Sequence, residues 1–227
     1  MCKTKAFHFY LHWVLANSLG ELIGLGTTFT IGYTLFARFE LHGTMQIIAQ
    51  ALLMTSSGLL EGAVVGTLQW YALRRYLPIR WRAWVWATIF GAVLAWVAGS
   101  LPMTMASLSS QSSGEATAVE PAGWIMLVLE VALGLAIGAI LSLAQMVVLR
   151  KAARRAGWWV LANGVAWALG MPVIFGAIDL AQRAAPPVAM VAIIAAALAL
   201  TGALVGAVHG LALVRLSRSL RPAVQLH

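Results

Sequence analysis

The sequence predicts an all-α integral membrane protein: a single domain over residues 1–227, with six transmembrane helices formed by three parallel two-helix repeats. Three observations predict it. The chain is 61% hydrophobic and 10% charged, with a mean hydropathy of +0.87, whereas a soluble globular chain carries about 25% charged residues. So few charges cannot cover a solvated surface, and a lipid bilayer is the solvent that does not require them. Six apolar runs, each longer than the roughly 20 residues that cross the hydrocarbon, take up nearly the whole chain. Finally, a short pattern of residues recurs at matching places in these runs.

The runs cover approximately residues 8–36, 45–73, 83–106, 123–149, 158–180 and 188–214. The first is far longer than the apolar core of a signal peptide, about 7–15 residues, and is expected to be a retained first span. The connections are short except for residues 107–122. That segment is Ser-rich, carries Glu115 and Glu120 and has no basic residue, so it is expected to be an external polar loop.

Orientation follows from Lys and Arg. Of the 15 such residues, all but Arg38 and Arg183 fall on one side of a six-span arrangement. They are Lys3 and Lys5 before the first span, Arg74, Arg75, Arg80 and Arg82 in the second loop, Arg150, Lys151, Arg154 and Arg155 in the fourth, and Arg215, Arg218 and Arg221 in the tail. Cytoplasmic loops are the ones enriched in Lys and Arg, which places both termini in the cytoplasm. The expected location is the bacterial cytoplasmic (inner) membrane. The same distribution argues against nucleic acid as the partner for a net charge of +8, because the basic residues are spread between apolar runs rather than gathered on a soluble face. The single cysteine, Cys2, excludes an internal disulfide and offers no cysteine-based metal site.

The repeats cover about residues 8–75, 82–151 and 157–216. Trp13-Val14-Leu15-Ala16-Asn17 recurs as Trp159-Val160-Leu161-Ala162-Asn163 and more weakly as Trp84-Val85-Trp86-Ala87-Thr88. In the even spans, Gly62 with Gln69 matches Gly138 with Gln145 and Gly202 with His209. Each copy runs in-to-out and then out-to-in, so the copies are parallel about an axis along the membrane normal rather than inverted. Gln69-Trp70-Tyr71-Ala72-Leu73-Arg74, Gln145 to Arg150 and Gly157-Trp158-Trp159-Val160 resemble uncharacterised multi-pass bacterial membrane proteins that carry a Gln-Trp-x-x-Leu-Arg helix end followed by a Gly-Trp-Trp-Val helix start. The resemblance covers most of the chain and implies the fold; it implies no activity.

Small residues stand four apart in the even spans: Gly58, Gly62 and Gly66; Gly134, Gly138 and Ser142; Gly202, Gly206 and Gly210. Such stripes let helix backbones approach closely, within the chain or between copies of it. Gln69, Gln145 and His209, with Asn17, Thr88 and Asn163, share one slab about 8 Å inside the cytoplasmic face at 1.5 Å per residue. They are expected to be interhelical glue, worth about 0.6 kcal/mol per bond, or else the lining of a vestibule open to the cytoplasm. The ten tryptophans gather largely at span ends, Trp13, Trp81, Trp84, Trp124, Trp158 and Trp159 among them, and are expected to be headgroup anchors.

Glu21 and Glu61 fall near the centres of the first two spans, and Glu130 in the outer third of the fourth. A central acid costs about 2.5–3.5 kcal/mol on insertion scales, so it normally faces the bundle interior and marks function. No Lys or Arg stands within the apolar cores to neutralise these acids, which predicts protonated carboxyls. Gln50, eleven residues before Glu61, shares its helix face to within about 20° by the 3.6-residue period. Neither acid is repeated: Ala92 and Trp167 match Glu21, while Ile137 and Thr201 match Glu61.

No nucleophile, phosphate-loop or zinc-protease motif is present, so no enzyme activity and no cofactor are predicted. His209 has no second ligand at helical spacing, and a mononuclear metal site needs three or four. The expected partners are the lipid bilayer and other membrane proteins or further copies of the chain. The leading expectation is a non-enzymatic scaffold or accessory subunit of a membrane assembly. The alternatives are a small proton-linked transporter or channel using Glu21 and Glu61, and a pigment- or metal-binding subunit using His209.

Overall fold

The structure is a computed structural model that describes residues 3–38, 42–113 and 122–217. Cys2, Glu115, Glu120, Arg218, Arg221 and His227 lie outside the described residues. Six α-helices account for nearly all of it: α1 (Lys3–Arg38), α2 (Gly43–Leu73), α3 (Trp81–Ser113), α4 (Gly123–Ala152), α5 (Trp158–Gln182) and α6 (Pro187–Leu216). All six are long and apolar enough to cross a membrane. At 1.5 Å per residue even α5, with 25 residues, is about 38 Å long, against a hydrocarbon core of about 30 Å.

One boundary differs from expectation. Residues 107–113, read from their serines as loop, continue α3 to Ser113; residues 114–121 of the expected loop lie outside the described residues. Tertiary contact explains the extension. Thr44 Oγ1 at the start of α2 donates to Gln111 Oε1 at 2.8 Å, so the last turns of α3 have a neighbour to pack on and weak local propensity is overridden. Gly43 opens α2 at φ +59°, a left-handed conformation that glycine adopts without a Cβ clash.

Each helix packs on its two chain neighbours, and α6 packs on α1, closing a ring of six. The glycines of the even helices make the closest approaches. A Cβ on Gly62 would stand 2.6 Å from Ile89 Cα, one on Gly138 would run into the Asn163 carbonyl, and one on Gly202 would stand 2.7 Å from Ser18 Cα. Gly58 faces Val93, Gly66 faces Thr88 and Val85, Gly134 faces Trp167 and Ala168, Gly206 faces Asn17 and Val14, and Gly210 faces Trp13. Every one of these glycines therefore meets another helix of the same chain: α2 docks on α3, α4 on α5 and α6 on α1. Between helices in an apolar medium such contacts gain dispersion energy that a larger side chain would forfeit.

Burial is uneven along the bundle. At the end where α2 turns into α3 and α4 into α5, called here the basic end for Arg74, Arg75, Arg80, Arg150, Lys151, Arg154 and Arg155, an apolar plug fills the ring. Phe9, Leu73, Leu77, Leu149 and Leu213 are its fully or almost fully buried members. Phe9 stacks on Tyr76 of the α2–α3 connection with ring centroids 4.3 Å apart. Toward the opposite end, no residue of α2 from Gly43 to Ser56 is buried.

The glycine contacts give a direct test. Gly62→Ala is expected to destabilise the folded protein in detergent by about 1–3 kcal/mol, the usual cost of overpacking, read as a lower midpoint of thermal unfolding. Gly26→Ala and Gly176→Ala, where a Cβ would meet nothing within 4 Å, should leave the midpoint unchanged or raise it slightly.

Candidate functional site

Just below the plug lies a layer to which all six helices contribute. Trp13, Trp84 and Trp159 are each 0% exposed, and their ring centroids stand 6.4, 5.9 and 6.1 Å apart pairwise. They form a triangle in the middle of the ring. The expectation that these three are headgroup anchors is overturned; Trp81, Trp124 and Trp158, at 43%, 71% and 60% exposure, have the exposure an anchor needs. The reason is partnership: a buried indole N–H needs an acceptor, and the preceding even helix supplies one in each case. Trp13 Nε1 donates to His209 Nδ1 at 2.9 Å, Trp84 Nε1 to Gln69 Oε1 at 3.2 Å and Trp159 Nε1 to Gln145 Oε1 at 3.0 Å.

The rest of the predicted polar slab completes the network. Gln69 Nε2 donates to Asn17 Oδ1 at 2.8 Å, and Gln145 Nε2 to Thr88 Oγ1 at 2.9 Å and Gln69 Oε1 at 3.2 Å. Asn17 and Asn163 turn their amides back onto the carbonyls of Trp13 and Trp159, at 2.7 and 2.9 Å, and the Thr88 hydroxyl does the same with Trp84 at 2.9 Å. All six are buried. The vestibule reading is thereby corrected: the slab does not open at the basic end, because the tryptophan triangle and the apolar plug close it.

His209 is 1% exposed and sits against Trp13 and Trp159, with ring centroids 5.5 and 5.1 Å away. One ring nitrogen is occupied by the Trp13 donor, which fixes Nδ1 as the acceptor and puts the proton of a neutral ring on Nε2. A pigment macrocycle has no space beside it. Among the described residues, no three His, Cys, Asp or Glu side chains gather as a metal set.

Deeper along the axis lie the two acids, Glu21 at 2% and Glu61 at 5% exposure. Both line the same cavity. Gly24, one turn beyond Glu21, makes room for Glu61: a Cβ there would stand 3.1 Å from Glu61 Cα. Trp96 of α3 donates its indole N–H to Glu61 Oε2 at 2.6 Å, whereas Glu21 Oε2 is buried with no hydrogen-bond partner among the described residues. A cavity of about 10 Å³ joins the acids to the polar layer, lined by Asn17, Glu21, Glu61, Gln69, Thr88, Asn163 and His209 together with apolar residues. That is the room of about one water molecule.

Two predicted site residues are not brought in. Gln50 is exposed; it shares the angular face of Glu61 but stands three turns further along α2, where the ring is loosely packed. Glu130 is half-buried on α4 and does not line the cavity of the central acids. Trp96 was missed by sequence reasoning, and so was the buried Thr201 hydroxyl, which lacks a partner among the described residues. Nothing in the sequence marks Trp96, whereas Thr201 stands at the position that matches Glu61 in the third repeat. The burial of the three central tryptophans did leave a signal. Each stands four residues before Asn17, Thr88 or Asn163, on the same helix face, and a headgroup anchor needs no such companion. Comparison of the chain with protein-family models, with curated proteins and with solved structures finds no match.

The network predicts that Gln145→Leu, which removes one acceptor and two donated bonds at once, costs about 1–3 kcal/mol by stranding the Trp159 indole N–H. The unfolding midpoint should fall and the intrinsic tryptophan emission should change, while Trp158→Phe on the exposed surface should alter neither stability nor fold.

Proposed function

We propose that this chain is a six-span protein of the bacterial inner membrane with both termini in the cytoplasm, and that it serves as a non-enzymatic scaffold or accessory subunit in a membrane assembly. The observation that carries this reading is the solid centre of the ring. Most of the hydrogen bonds of the polar layer are made within it, and the cavity it borders has room for about one water. A polar layer bonded mainly to itself specifies which helices meet.

Three two-helix repeats about an axis along the membrane normal account for the recurrence of the contacts. Gly62, Gly138 and Gly202 meet Ile89, Asn163 and the Asn17–Ser18 pair, and these stand at equivalent places after Trp84, Trp159 and Trp13. The clustering of basic residues at one end supports the orientation. The sequence resemblance to multi-pass bacterial membrane proteins supports the membrane and the source. With no soluble domain predicted and few polar groups outside the helix ends, the partners of such a scaffold are lipid and other membrane proteins.

A proton-linked transporter or channel is the second reading, favoured by one observation: the buried Glu21 and Glu61 share a cavity with the polar layer. Reconstitution separates the two. Vesicles that contain the purified protein alone and an internal pH dye are expected to hold a proton gradient as long as empty vesicles do. Faster collapse that Glu21→Gln or Glu61→Gln abolishes would reject the scaffold reading in favour of the transporter.

A further inference from the structure

We propose that Glu21 and Glu61 form a binding site for one small monovalent cation, hydronium or Na⁺, held between α1 and α2 at the centre of the ring. The geometry carries this in three steps. First, Trp96 Nε1 donates to Glu61 Oε2 at 2.6 Å, which orients the Glu61 carboxyl toward the site in either protonation state. With a cation beside it Glu61 can stand ionised, whereas an isolated buried carboxylate is too costly without a counter-charge. Second, no described side chain that lines the cavity supplies one. The cavity is lined by Glu21, Glu61 and His209 as its only titratable groups; α3, α4 and α5 present Thr88, Ala92, Leu141, Asn163 and Trp167 to it, none of them charged. His209 stands at the far end, where Nδ1 already accepts from Trp13. Third, one carboxyl oxygen of Glu21 is left for the ion. Glu21 Oε2, nine-tenths and more buried, has no partner among the described residues and borders the cavity.

The cavity sets the size of the ion. A space of about one water with two carboxylates is too small and too poor in oxygen ligands for Ca²⁺ or Mg²⁺, which take six or more. A hydronium or a Na⁺ ion carries the single charge that offsets one carboxylate, in a cavity that both acids line. This site is independent of the scaffold reading: a resident ion that ties α1 to α2 does not require transport, and its loss would loosen the ring without opening a pathway. Neither acid is matched in the other two helix pairs, where Ala92, Ile137, Trp167 and Thr201 stand instead, so one interface of the ring would be ion-dependent and the others would not.

The test is thermal unfolding of the purified full chain in detergent, with NaCl or choline chloride at equal ionic strength, at acid and at alkaline pH, for the wild type, Glu21→Gln and Glu61→Gln. Anything that binds only the folded state stabilises it by mass action. If Na⁺ is the occupant, NaCl raises the wild-type midpoint by a few degrees over choline at alkaline pH, and both variants lose that difference. If hydronium is the occupant, sodium has no effect, the wild-type midpoint falls as pH rises, and the variants lose that dependence. Equal responses to sodium and pH in the wild type and both variants overturn the proposal. Should the variants fail to fold, infrared difference spectra of the wild type between these conditions decide it: a desiccated carboxyl band that changes with sodium or pH supports the site, and spectra without one overturn it.

Discussion

A backbone that meets another backbone at a glycine sets the distance between two helices, and in this ring it also decides which side chains become partners. Gly62, Gly138 and Gly202 bring α2, α4 and α6 onto α3, α5 and α1. Two turns toward the basic end, the same helix pairs place an amide or imidazole beside an indole. A buried amide or indole N–H in an apolar medium must find an acceptor within the protein, and at this separation it has one. Widen any of the three contacts by a methyl group and the corresponding indole bond has to lengthen as well. Packing and polar satisfaction are thus a single constraint here.

The consequences run along the axis. At the basic end the plug, the tryptophan triangle and the amide layer form a continuous buried block, whereas no residue of α2 from Gly43 to Ser56 is buried. Glu21 and Glu61 stand at the junction between these two regimes. The acids therefore lie where the buried part of the ring gives way to a part whose α2 residues are exposed. A charge at that junction can govern how firmly α1 and α2 hold together without disturbing the block above it.

Most of the helix pattern was legible because the membrane-compatible signal is coarse: runs of apolar residues broken by short basic connections mark six helices to within a few residues. The end of α3 was not legible, since the serines of residues 107–113 are weak helix formers and only the contact of Gln111 with Thr44 shows why the helix continues. The polar slab was legible as a slab, from Gln69, Gln145 and His209 at one depth, but not as a closed network. Position near a helix end suggested anchors for Trp13, Trp84 and Trp159, and only the three-dimensional ring puts all three in its middle. The two acids stood out because carboxyls are costly in apolar helices. That Trp96 would serve Glu61 depends on the rotation of α3, which composition does not encode.

The closure of the ring rests on residues at opposite ends of the chain, Trp13 and His209, 196 positions apart, joined by a 2.9 Å hydrogen bond. The most direct test is a double-mutant cycle on that pair: unfolding free energies in detergent for the wild type, Trp13→Phe, His209→Leu and the combination. The ring described here predicts a coupling of about 0.6–1.7 kcal/mol, the range measured for interhelical hydrogen bonds in a membrane protein. Additive effects, agreeing to within about 0.3–0.5 kcal/mol as independent sites do, would mean that α1 and α6 do not meet through these side chains, and would contradict it.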